Sequence, residues 1–547
     1  MASLEGHASI RGNSEMVQMI LLNICAIGIT FTWGIEMTYC TPYLLKLGLT
    51  KSSTSLVWVA GPLSGLIVQP IIGVLADEST SPWGRRRPLM LIGAIIVAVS
   101  LLVLGFTREI IGLFVGDDDE KAKRPTIVLA VFSIYVVDFA INAVMSCSRS
   151  LIVDTLAIEK QQAGAAWASR MSSVGHVLGY GAGAIDLVRL FGTGLGSTQF
   201  KQLTIIAAMS ILASTTLTCW AVSEKVLVPA DKSSAMHHQG YFKVFRQIYS
   251  TVLHLPPRIR VICWVQFWSW IGWFPFLFYS TTWIGETYFR YDAPADSRNS
   301  KDTLGDMGRI GSIALVFYSG VTFTGALILP LLVKSPDDEA DIQRPPQALA
   351  GILDRFNKVK PDLLTAWICG HFIFSAAMAL APLARSFISA TVLVCICGVP
   401  WTIAMWAPPT FLGIEVNKLS SSGDQPTLYR RLSNNMDLEL PTLGPDTSPR
   451  HESESETSST GELSGVYFGI LNIFTTLPQF IGTFIAAIVF AILEPGESPE
   501  LAAGEESKPS DNREDAVSGP NAISVCLFIG AMSTLVAAFV TRKLKVL

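Results

Sequence analysis

Twelve stretches of about 20 mostly apolar residues recur along this chain, at roughly 16–45, 54–76, 88–107, 125–149, 164–191, 202–222, 259–285, 308–333, 362–384, 386–413, 464–493 and 520–542. Each is long enough to cross a hydrocarbon core of about 30 Å as a helix rising 1.5 Å per residue. The pattern predicts an all-α membrane protein with twelve transmembrane helices. Polar breaks then set the organisation: a tail (1–15), a first six-helix bundle (16–222), a linker (223–258), a second bundle (259–542) and a closing tail (543–547). Within the linker, GYFKVFRQIYSTVLHL is amphipathic and suits a membrane surface. Within the second bundle, 417–462 is rich in Ser, Thr, Pro, Asp and Glu and reads as a disordered loop, because it cannot bury enough apolar surface to fold. The acidic connection 494–520 is expected to be flexible.

The fourth stretch departs from the pattern most. Asp138, Asn142, Met145 and Arg149 lie four, seven and eleven residues from the first of them, so they share one narrow helix face. Entering at Pro125, a helix reaches Asp138 after about 20 Å, near mid-membrane, and Arg149 close to the far rim. An ionised carboxylate at that depth costs several kcal/mol unless paired or wetted. Two readings follow: a structural carboxylate satisfied by a neighbouring helix, or a proton-carrying acid on a solute path. The depth favours the second.

Other polar groups interrupt the apolar runs. Glu36 in the first span is suited to accept hydroxyls of a bound solute or to pair with an arginine. Arg170, His176 and Asp186 punctuate the fifth span, with His176 nearest its middle, and His371 lies in the ninth. Each histidine fits helix packing as well as ligand binding. Asn472 and Gln479 in the eleventh donate and accept, so they suit hydroxyl recognition or interhelical bonding. Aromatic residues crowd the seventh span, where Trp273 or Trp268 is placed to stack on the apolar face of a bound solute. Pro275, Pro400, Pro408, Pro409 and Pro478 are expected to kink their helices.

Composition narrows the function. The chain is 50% hydrophobic and only 15% charged, with a net charge of -4, which excludes a broadly basic nucleic-acid surface. Nine cysteines sit in apolar runs without metal-ligand spacing and read as unpaired core residues. An enzyme would need paired carboxylates or metal ligands in a folded loop, and Asp117, Asp118 and Asp119 have no His or Cys company. Neither a catalytic residue, a metal nor a bound cofactor is expected. The first apolar run is too long for a cleaved signal and reads as an anchor. Allocating Lys and Arg to alternate sides gives roughly 24 on the side of the termini and roughly 15 on the other, so both termini are expected in the cytosol. The cytosolic loop would then expose HESESETSST (451–460), either as a kinase substrate or as a solvated tether.

After the second span comes GVLADESTSPWGRRRP (73–88), where Gly73, Asp77, Gly84, Arg85 and Arg86 surround a short turn. It resembles the loop between the second and third helices of the major facilitator superfamily, and its use would be a conformational latch. In that reading Gly73 allows close helix approach and Asp77 pairs with an arginine or helix end in one of two states. GPLSGLIVQPIIGVLAD (61–77), VVDFAINAVMSCSRSLIVD (136–154), GHVLGYGAG (175–183), WFPFLFYSTTWIGE (273–286) and FGILNIFTTLPQF (468–480) together resemble proton-coupled sucrose and α-glucoside transporters of the fungal type. The likeness runs through nearly the whole chain.

That resemblance implies two six-helix bundles that rock about a central site, with Asp138 as the proton site and Arg149 as a charge needed for coupling or sugar binding. The substrate-binding candidates are Glu36, Asn142, His176, Trp273, Asn472 and Gln479. The implied partners are a disaccharide such as sucrose or maltose, a proton whose gradient drives uptake, and the bilayer of the plasma or vacuolar membrane. Plant members carry two aspartates where this chain has Ser280 and Thr282, so another group must serve here; Glu286 is close. A sugar sensor with little flux and a sodium-coupled carrier are the alternatives, although sodium would want several oxygen ligands.

Overall fold

A computed structural model describes residues 3–5, 7–77, 79–116, 119–156, 158–228, 253, 255–293, 303–334, 360–421, 452–494 and 521–547. Every apolar stretch has become a long helix. In chain order these are α1 (Glu15–Lys46), α2 (51–77), α3 (Arg87–Gly105), α4 (Asp119–Thr155), α5 (Ile158–Ala184), α6 (Gln199–Ala221), α7 (Pro257–Thr287), α8 (Thr303–Leu332), α9 (Leu363–Leu383), α10 (387–421), α11 (Glu452–Leu493) and α12 (Ala522–Arg542). Among the described residues, eleven helices are long and apolar enough to cross a membrane. The twelfth, α5, is 27 residues long but more polar. Its glycines seat it closely on α1: a Cβ at Gly175 would come within 2.7 Å of the Ile27 carbonyl oxygen, and one at Gly179 within 3.2 Å of that of Phe31. Small residues of this kind let helix backbones approach in a bilayer, where packing rather than burial from water joins helices.

Side-chain caps fix several helix starts. Thr50 accepts from the Ser53 amide, Thr198 from Lys201, Ser386 from Ser389 and Asn521 from Ser524, satisfying amides that have no carbonyl one turn back. Two helices carry a π turn, Glu36–Cys40 in α1 and Tyr288–Asp292 following α7. Pro275, Pro408, Pro409 and Pro478 lie inside continuous helices.

The helices form two bundles. In the first, α1 packs on α5 and α6, and α4 on α2 and α3; in the second, α12 packs on α7 and α9, and α7 also on α11. The halves meet along α5 with α8, α2 with α11, and α1 with α7. Because successive spans alternate in direction, both termini lie at one end, called here the termini end; the opposite end is the distal end. At the termini end the tail pairs with the residues after α6 in two short antiparallel ladders. β1 (Ser3–Glu5) pairs with β4 (Val226–Val228), and β2 (Ser9–Ile10) with β3 (Val222–Ser223).

Helix extends further into the long polar loop than its composition suggested. The α10 helix continues to Ser421 and α11 begins at Glu452, where no Pro or Gly interrupts the chain before Gly461. The stretches 229–252, 422–451 and 495–520, including most of the linker and the acidic connection, lie outside the described residues. All nine cysteines are free, and seven of them are buried.

Candidate functional site

Asp138 stands at the middle of α4 and is 4% exposed, with Oδ2 buried and without a hydrogen-bond partner among the described residues. One turn on, Asn142 makes three hydrogen bonds. Its Nδ2 donates to Ser64 Oγ at 2.8 Å and to the Asp138 carbonyl at 3.0 Å, and its Oδ1 accepts from Gln69 Nε2 at 3.1 Å. Asp138 therefore backs onto a neutral polar network that ties α4 to α2. Met145 is buried, and Arg149 at the far end of the same face is exposed. The acid and the base lie eleven residues apart, about 16 Å along the helix, and do not meet.

Glu36 approaches from α1, buried at the start of the π turn, with Oε1 unpartnered. It and Asp138 are electrostatic neighbours, and Cys40 faces both. Other sequence candidates lie apart from this pair. His176 is half-buried and stacks on Tyr180, with ring centroids 5.7 Å apart. Trp273 is enclosed in the second bundle by Phe276, Phe374 and Trp401, the nearest centroid 4.1 Å away, and its Nε1 is buried without a partner. His371 is buried beside Trp367. Gln479 Nε2 donates to the Thr475 carbonyl at 3.0 Å, within its own helix, and the Asn472 carbonyl accepts from Thr475 Oγ1. Both amides are half-buried.

At the distal end, charges from both halves interlock. Lys51 of α2 lies 2.6 Å from Glu286 Oε1 of α7 and also pairs with Glu494 after α11. Arg290 reaches Glu494 Oε1 at 3.2 Å, and Asn521 Nδ2 donates to Glu286 Oε2 at 2.8 Å. Burial alone would push the Glu494 carboxyl up, but Lys51, the Ala522 amide and Arg290 outweigh it and hold it below the usual carboxylate range. Beneath this cluster Tyr279 donates to Ser55 Oγ at 2.9 Å, Ser55 donates to the Thr483 carbonyl at 3.0 Å, and Thr281 donates to the Met37 carbonyl at 2.8 Å. Thr282 shares a small pocket with Lys51, so the acid that meets this cation is Glu286, one turn further along α7. Asp186, expected inside the fifth span, instead lies beyond the end of α5. There it caps the short helix Leu187–Phe191 and meets Arg309 of α8 at 2.7 Å.

At the termini end the resolved ion pairs stay within one half. Arg85 and Arg86 reach Asp154 at the end of α4, at 3.0 and 3.1 Å. Glu224 accepts the backbone amides of Arg85, Arg86 and Arg87 at 2.7 to 2.8 Å, placing a carboxylate on the N-terminus of α3. Gly84 is required here, since its φ is +109° and a Cβ would lie 2.8 Å from the Glu224 carboxyl carbon. A Cβ at Gly73 would meet nothing within 4 Å, so in this conformation Gly73 makes no close helix approach. The Asp77 side chain lies outside the described residues.

Sequence reasoning missed Ser64, Gln69, Lys51 and Glu224 as partners. Ser64 and Gln69 were signalled only as polar residues in an otherwise apolar span.

The pattern of the MFS/sugar transport protein family matches residues 23–291. The general alpha-glucoside permease of Schizosaccharomyces pombe is 31% identical over 577 residues, covering 96% of this chain and 93% of the permease. The sucrose transport protein SUC4 of Arabidopsis thaliana is 30% identical over 323 residues, covering 56% of this chain and 62% of SUC4, less than two thirds of that protein. Among solved structures, a bacterial homolog of the human lysosomal transporter Spinster, in an inward-facing and occupied conformation, superposes with a TM-score of 0.56 at 12% identity over 98% of this chain and 97% of its own. A D-xylose–proton symporter gives 0.53 at 12% identity over 96% and 97%. These structures share the fold, and the permease shares the sequence along its length: the chain belongs to the sugar transport family of the major facilitator superfamily.

Proposed function

We propose that this protein is a proton-coupled symporter of a disaccharide of the sucrose or maltose type, working by alternating access. The observation that carries the reading is Asp138, a buried carboxyl at mid-helix with an oxygen that no group among the described residues satisfies. A carboxylate without water or a cation is costly to keep ionised, so it takes up a proton when its space is closed and releases it when water returns. Arg149, charged at any working pH, lies toward the termini end of the same face and attracts the deprotonated acid through solvent. Proton release and sugar release toward that end are thereby linked.

The half-spanning bonds at the distal end belong to one state of the cycle, and rocking the bundles breaks them. In the opposite state the loop with Gly73, Asp77, Arg85 and Arg86 engages the second bundle. Both termini are cytosolic, by the excess of Lys and Arg on their side, and uptake is across the plasma membrane. Neutral amides on α11, Asn472 and Gln479, together with the α2 and α4 network, supply hydroxyl partners for the sugar.

Sugar-evoked proton uptake into liposomes bearing the full chain tests this across a panel of disaccharides, each with and without sodium. An α-glucoside is expected to carry protons inward in sodium-free buffer. Silence with every sugar, or a response that requires sodium, would refute the reading.

A further inference from the structure

Glu36 looked from the sequence like an acceptor for sugar hydroxyls, but its surroundings suit another task. It opens a π turn, a feature that adds a residue to a helix and re-aims the side chains around it. Glu36 and Asp138 are 5% and 4% exposed, and among the described residues each keeps one buried oxygen without a donor. Among the described residues, the titratable groups around them supply no cation. Cys40 on α1 faces both acids, and Tyr135 on α4 lies beside Asp138. The α2 helix contributes the neutral Ser64 and Gln69, bonded to Asn142. The α3 helix, which packs on α4, buries apolar residues such as Ala94 and Val97. His176 and Tyr180 on α5 stack on each other. Among the described residues no lysine, arginine or histidine forms an ion pair with either acid.

Two neighbouring buried carboxyls without a cation cannot both ionise, since each charge would meet desolvation and its like. Their settings differ. Asp138 lies against a polar network and shares a face with the exposed Arg149, whereas Glu36 adjoins Met37, whose carbonyl is tied across the distal contact to Thr281. We propose that Glu36 keeps its proton throughout the cycle and acts as a neutral O–H group beside Asp138, so that the pair exchanges a single proton with water. Glu36 is then a positioning residue for the proton and not an anionic sugar ligand. The step balances simply: water at the distal side gives a proton to the Asp138 carboxylate, water at the termini side removes it, and the Glu36 O–H bond stays intact. This inference rests on the reading of Asp138 as the proton site.

The test uses the full chain in liposomes, following proton and sugar fluxes together in the parent protein, Glu36→Gln, Glu36→Leu and Asp138→Asn. The parent is expected to move one proton per sugar; two per sugar would overturn the inference without any variant. Glu36→Gln, neutral and of the same shape, should keep the ratio and hold the midpoint of the pH profile within a few tenths of a unit. Glu36→Leu, which lacks the polar group, should lose about tenfold or more in uptake. Uncoupling by Glu36→Gln, or parent-like uptake by Glu36→Leu, would refute the role. Coupled uptake by Asp138→Asn would instead refute the proton-site reading beneath it.

Discussion

The two ends of this transporter hold charge in opposite ways. At the distal end Lys51 from the first bundle is buried between Glu286 and Glu494 of the second, so the ion cluster helps to join the halves. At the termini end Asp154 and Glu224 hold Arg85, Arg86 and Arg87 of their own bundle, bracing one rigid body. Contacts of the first kind must break in each transport cycle, and contacts of the second kind need not. The location of an ion pair relative to the moving boundary therefore separates gating from scaffolding, although the residue types are the same.

The comparison is broken most severely at Lys51. Lys51→Met strips Glu286 of its lysine and leaves Glu494 with Arg290, a loss of about 3–5 kcal/mol from the distal-closed state. Faster thiol labelling of a cysteine placed at Ser55 is expected, and unchanged labelling would show that the cluster is no joint. A smaller effect, roughly 1–3 kcal/mol, is expected for Gly84→Ala, which strains a positive φ against Glu224. Its signature is a lower melting temperature with unaltered labelling at the distal end, as befits a brace. Arg309→Ala removes a half-exposed partner of Asp186 and should change labelling by no more than about 1 kcal/mol equivalent.

The smallest effect is that of acid at the distal end. Because Glu494 is held below the ordinary carboxylate range, its contribution to closure is complete above that range and is lost only as pH falls through the lowered value. Labelling at the distal end is thus expected to stay flat between roughly pH 5 and 7. A rise within that window would assign the proton response to the joint instead of to the centre.

Much of this was legible in the sequence, in proportion to how local the signal was. Eleven of the helices followed from apolar length, α5 being more polar, and the shared face of Asp138, Asn142, Met145 and Arg149 followed from helical period. The partners did not follow, because partnership joins distant stretches. Lys51 looked like a loop residue ahead of an apolar window, yet its acid is Glu286, more than 200 positions away. Glu224 fell in a polar linker and gave no sign of capping α3. The aromatic crowd in α7 showed that rings were present, but composition could not tell that Trp273 would be packed against Phe374 and Trp401. Asp186 was misplaced because small and apolar residues continue past the end of α5.

The central claim concerns Asp138, and the most direct measurement compares two activities of Asp138→Asn in liposomes: sugar accumulation driven by an imposed pH gradient, and sugar exchange at equal pH. Loss of accumulation with exchange preserved is the predicted result, since the bundles still rock but no longer carry a proton. Accumulation at the parent level would contradict the account.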